Sequence, residues 1–108
     1  PDPACNPYLA FSVILAAGMK GIREGYKLPA EAGANLFQMD DAELAKLGIN
    51  QLPQSLNDAL KVMEQSELVR ETLGEHMFDW FLRNKRREWM EYKTQVTPFE
   101  LNRYLKSL

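Results

Sequence analysis

Few side chains in this sequence could carry chemistry. His76 is the single histidine and Cys5 the single cysteine. A helical metal pair needs a second ligand about one turn away. The residues four before and four after His76 are Thr72 and Trp80, and neither ligates well. Asp79, three residues on, brings the set to two ligands, and two do not make a site. The chain has no cysteine pair, no Gly-rich phosphate loop and no G-x-S-x-G elbow. Glu64, Glu67 and Glu71 read as a solvated acidic face. A lone thiol cannot close an internal disulfide, which suits a reducing cytoplasm, and Cys5 is expected to be a small buried hydrophobe.

The stretch RNKRREWMEYK, residues 83–93, holds five basic and two acidic residues with Trp89 and Tyr92 interleaved. Basic residues among aromatics are one pattern of nucleic-acid binding. Here Arg83, Lys85, Arg86 and Arg87 span little more than one helical turn and point several ways. Trp89 and Tyr92 continue an apolar stripe. A patch facing an acidic surface of the same protein is the expectation, with no nucleic acid as partner. The net charge of −2 sets up no global field for nucleic acid or acidic lipid.

The elements that would hold these residues are helical. At 108 residues and 45% hydrophobic content the chain suits one domain. Its most apolar run, residues 7–21, falls short of the ~20 residues of a membrane span. No positive region stands before it in these residues, so it is not expected to be a signal peptide. It is expected to be a core helix, apolar nearly all round, starting at Asn6-Pro7 and ending near Arg23. Residues 24–39, with Gly25, Pro29 and Gly33, read as a long loop. Asp40 and Glu43 form a capping box for a short helix stopped by Gly48. Ser55 caps the next helix, with Leu56, Ala59, Leu60 and Met63 as its apolar stripe. Ser66 starts another, with Leu68, Val69 and Leu73, and Gly74 stops it. The longest helix is expected over residues 75–95, with Phe78, Phe81, Leu82, Trp89, Tyr92 and Val96 at helical spacing. Thr97-Pro98-Phe99-Glu100 then starts a last helix, residues 98–106, with Leu101, Tyr104, Leu105 and Leu108 on one face. So short a helix is marginal alone and must dock on something. No strand pattern is convincing, so the chain reads as all-α. Residue types and spacing by themselves describe a helical domain with no active site of its own, and a free-standing helical interaction module remains open.

Whole motifs go further. PDPACNPYLAFSVILAAGMKGI resembles the PDPA-x-NPYL-x-F…LAAG-x-x-GI segment of bacterial type I glutamine synthetases. LPQSLNDAL resembles that family's LP-x-SL-x-x-AL element. ELVRETLGEHMFDWFLRNKRREWMEYKTQVTPFELNRYL resembles its closing stretch: LG, then K-x-x-EW-x-x-Y, then VT-x-(W/F)-E-x-x-x-YL. The three blocks stand in order and cover residues 1–108. The resemblance implies the C-terminal helical region of a catalytic domain that is α+β in the whole enzyme. It implies an ATP-dependent glutamate–ammonia ligase using Mg²⁺ or Mn²⁺, cytoplasmic and dodecameric. In the family PDPA closely follows an R-x-E-x-R strand, so the chain is expected to be a fragment that starts after the metal and nucleotide residues. That would explain the absence of an initiator Met. As a fragment it is expected to be inactive, to bind no cofactor, and to serve as scaffold and assembly region.

Two positions gain meaning from the resemblance. Adenylylated members carry NLY after the first helix, and here the loop reads Asn35-Leu36-Phe37, so Phe37 offers no hydroxyl to accept AMP. The family's C-terminal segment reaches the facing ring, which implies an inter-ring role for residues 97–108 through Leu101, Tyr104, Leu105 and Leu108. The departure at Phe37, with FDWFLRNKRREW, also resembles a branch that includes γ-glutamyl-polyamine ligases. The fragment would expose Tyr8–Ile22 and the last helix, so self-association is expected.

Overall fold

The computed structural model describes residues 2–33 and 35–105. Among them all regular structure is helical: α1 Pro7–Glu24, a 3-10 turn Leu36–Gln38, α2 Asp41–Lys46, α3 Leu56–Glu64, α4 Glu67–Leu73, α5 Glu75–Lys93 and α6 Pro98–Tyr104. This is the all-α chain that the periodicities predict. None of these helices is long and apolar enough to cross a membrane. Leu108, expected on the apolar face of the last helix, lies outside the described residues. The chain divides into two units, residues 1–54 and 55–108.

In the first unit, α1 begins where Asn6 accepts the backbone N–H groups of Tyr8 and Leu9 at 3.0 and 3.3 Å. Pro7 takes the first helical position, where no N–H is needed. Gly25 ends the helix at φ 63°, ψ 41°, a left-handed conformation that glycine adopts without steric cost. The N–H of Tyr26 then reaches Gly21 O at 2.9 Å and that of Gly25 reaches Ile22 O at 3.3 Å. These bonds satisfy carbonyls that the helix end leaves free. The expected capping box of α2 is present. Asp40 Oδ1 accepts the Glu43 N–H at 2.8 Å, and Glu43 Oε2 accepts the Asp40 N–H at 3.0 Å. Leu44 is the buried residue of α2.

The second unit carries its own core. Both α3 and α4 pack on α5. Leu60, Phe78 and Leu82 form the centre, with Leu56, Met63, Val69 and Leu73 around them. Phe78 is fully buried, a contribution of about 1.5–3 kcal/mol for a side chain of that size. Ser55 and Ser66 cap α3 and α4 as expected, accepting the N–H groups of Asp58 and Val69. Gly74 serves both as the end of α4 and as the residue before α5, at φ 74°, ψ 153°. That region of backbone space is open essentially to glycine alone.

Three expectations need correction. Cys5 is exposed, because it lies in a turn ahead of α1 where no element packs on it. The apolar helix α1 is no core helix within this chain: none of its residues is buried. The stripe of α5 stops contributing to the core after Leu82: Tyr92 is exposed, and Val96, also exposed, lies past the helix end at Lys93. At 1.5 Å per residue, α5 is about 28 Å long against about 13 Å for α3, so its last turns outrun their partners.

Candidate functional site

Loop 26–39 brings the 3-10 turn to the surface. Asn35 Oδ1 accepts the Phe37 N–H at 3.2 Å and so starts that turn. Phe37 is completely exposed, 101% of its reference area. The position singled out in the sequence is therefore a presented side chain, not a packing one. Tyr26 supplies the loop's one phenol. Its hydroxyl is hydrogen-bonded to the Glu24 carboxylate, which raises its pKa above the usual phenol value, with partial desolvation and the Glu24 charge acting the same way.

The last helix is built by a second capping box. Glu100 Oε2 accepts the Thr97 N–H at 2.7 Å, and Thr97 Oγ1 accepts the Glu100 N–H at 3.3 Å. The Thr97 N–H, and then the Thr97 hydroxyl, which also donates to Oε2 at 2.7 Å, hold the Glu100 carboxyl below its usual range. Leu101, Tyr104 and Leu105 are exposed, and so is Phe99 beneath Arg103. Together with Tyr8, Phe11, Leu15 and Ile22 on α1, they give the chain two uncovered apolar surfaces.

Three of the basic residues in this stretch of α5 pair with acids of the same chain. Arg86 meets Glu64 of α3 at 2.6 Å, Lys85 meets Glu88 at 2.6 Å, and Arg87 meets Glu91 at 3.5 Å. The ring centroids of Trp89 and Tyr92 are 5.8 Å apart. Among the described residues no group of three or more His, Cys, Asp or Glu could hold a metal ion. His76 is exposed on the first turn of α5. Arg83 and Arg87, noted in the sequence as part of a basic stretch, line a shallow recess on α5 together with Trp80 and Asn84, which residue spacing did not join to them. Their i, i+3, i+4, i+7 order was the available signal.

These features define a class: a helical segment whose described residues leave two apolar surfaces uncovered and hold no group of three or more His, Cys, Asp or Glu fit for a metal ion. A family model described as the glutamine synthetase catalytic domain matches residues 1–104. A glutamine synthetase of Mycobacterium tuberculosis is 54% identical over 105 residues, which is 97% of this chain and 24% of that protein. One from Methanosarcina mazei is 46% identical over 108 residues, all of this chain and 24% of its own length. A solved structure described as apo GmaS without ligand superposes with a TM-score of 0.78 at 34% identity, covering 97% of this chain and 24% of that one. The chain belongs to the glutamine synthetase family. It spans about a quarter of the length of the curated relatives it matches.

Proposed function

We propose that this chain is the C-terminal helical region of an ATP-dependent glutamate–ammonia ligase and acts there as scaffold and assembly surface. The observation that carries the reading is the 54% identity to a glutamine synthetase across 97% of the chain. Glutamate's side-chain carboxylate would be phosphorylated by ATP, and ammonia would then displace the phosphate. Mg²⁺ or Mn²⁺ would neutralise the charge on the transferred group. The described residues supply no donor set that fits such a metal. Its ligands and the nucleotide site are assigned to the rest of a longer protein, and the segment alone is assigned no activity.

The uncovered apolar surfaces support the scaffold reading. In the longer protein α1 would lie under the catalytic sheet, and residues 97–108 would contact the facing ring of a cytoplasmic dodecamer. A lone segment with these surfaces would self-associate. The fully exposed Phe37, standing where adenylylated relatives carry Tyr, supports an enzyme not regulated by AMP transfer at that site.

The decisive experiment is phosphate release by the longer protein with ATP and glutamate, offering ammonium and putrescine separately. Turnover with ammonium is expected. Turnover with putrescine alone would overturn the ammonia ligase in favour of a polyamine ligase.

A further inference from the structure

The outward side of α5 has bonding capacity left over. Trp80, Arg83, Asn84 and Arg87 line its recess, on the side of the helix away from the buried Phe78 and Leu82. Lys85, Arg86 and Arg87 each hold a carboxylate, and Arg87 does so only loosely, at 3.5 Å. Arg83 takes part in none of the ion pairs among the described residues. Trp80 is 48% exposed, one turn before Arg83.

On α4 the complement is present. Glu67 and Glu71 are exposed, four residues apart, on the side of the helix away from Val69 and Leu73, which face the core. Neither belongs to any ion pair among the described residues. Residues four apart on a helix sit about 5–6 Å from each other, so the Glu67/Glu71 pair matches the Arg83/Arg87 pair in spacing. The acidic side of α4 and the basic side of α5 both point away from their shared core. They cannot meet within one copy.

We propose that a second copy of this chain docks on the α5 recess, its Glu67 and Glu71 against Arg83 and Arg87, with Trp80 as the apolar anchor. The surface given and the surface received differ, so the contact is head-to-tail. Individual exposed ion pairs are weak and are screened by salt, so the association is salt-sensitive. Association through α1 or α6, being apolar, is not weakened by salt.

Sedimentation of the full chain at low and high salt, about 20 and about 500 mM NaCl, tests this. The association constant is expected to fall at least tenfold on raising the salt. The double variants R83E/R87E and E67K/E71K each lose the salt-sensitive association, because one then presents two acidic faces and the other two basic ones. Mixing them restores it, in species larger than dimers. A control with the same net charge, K27E/K46E, retains the wild-type association and shows that position matters as well as charge. No salt-sensitive association in the wild type, no effect of R83E/R87E, or no recovery on mixing overturns the proposal.

Discussion

The Arg70 guanidinium lies 4.2 Å from the centre of the Phe78 ring. Phe78 is the fully buried centre of the second unit, and Arg70 covers its face from α4. The same guanidinium reaches Glu75 at 3.6 Å and Asp79 at 3.8 Å. One side chain thus ties α4 to the start of α5 while its charge stays half in water. Phe78→Ala is expected to cost about 3–5 kcal/mol, as for other buried aromatics. Arg70→Met keeps the apolar stem and is expected to cost about 0.5–2 kcal/mol. Urea unfolding with the double variant gives the coupling. Full additivity would show that the stacking contributes nothing.

Gly74 offers a cleaner test of backbone against packing. A Cβ placed there meets nothing within 4 Å, so space is not the constraint. Its φ of 74° with ψ 153° is the constraint. Gly74→Ala is expected to destabilise the chain by about 1–3 kcal/mol. Gly18→Ala, also in open space but inside α1 and without a positive φ, is expected to cost nothing and to favour the helix by up to about 1 kcal/mol. Equal midpoints for the two variants in thermal unfolding would refute the backbone account.

Asp58 links a cap to pH. Its Oδ2 accepts the Ser55 hydroxyl at 2.7 Å and its Oδ1 accepts Lys61 Nζ at 3.1 Å. The Ser55 bond first, and then Lys61, hold the carboxyl below its usual value. A depressed carboxyl favours the folded state above its unfolded pKa of about 3.9, and that advantage is lost as the pH falls through the lower folded value. Ser55→Ala is expected to move the Asp58 titration upward, so acid sensitivity sets in at higher pH. Carboxyl-detected NMR titration checks this, and an unmoved Asp58 would contradict it.

Phe37 bears on regulation. Mass spectrometry of the native longer protein is expected to find no AMP on residues 24–39. Tyr26 is the loop's one phenol, and its interaction with the neighbouring Glu24 carboxylate raises its pKa above the usual phenol value. AMP found anywhere in that loop would refute the reading.

The last helix bears on assembly. Under the proposed assembly, deleting residues 98–108 from the longer protein is expected to yield single rings in place of the dodecamer, as read by light scattering. Intact dodecamers would remove α6 from the inter-ring contact.

The local structure was largely legible in the residues. Asn6, Asp40, Ser55, Ser66 and Thr97 each cap the helix that their spacing announced, because a cap is made by side chains within three residues of the backbone it serves. Gly25, Gly48 and Gly74 stop helices for an equally local reason, positive φ. The motif blocks also carried the family. What the residues could not decide was which apolar faces find a partner. An apolar stripe states that burial would be favourable, not that a neighbour of the right length stands opposite. Tertiary structure decided that Phe78 is enclosed by α3 and α4 while the end of α5 runs past them. It also decided that Tyr8–Ile22, the most apolar stretch of all, holds no buried residue among the described ones. Burial depends on which elements meet, and sequence spacing reports only on each element by itself.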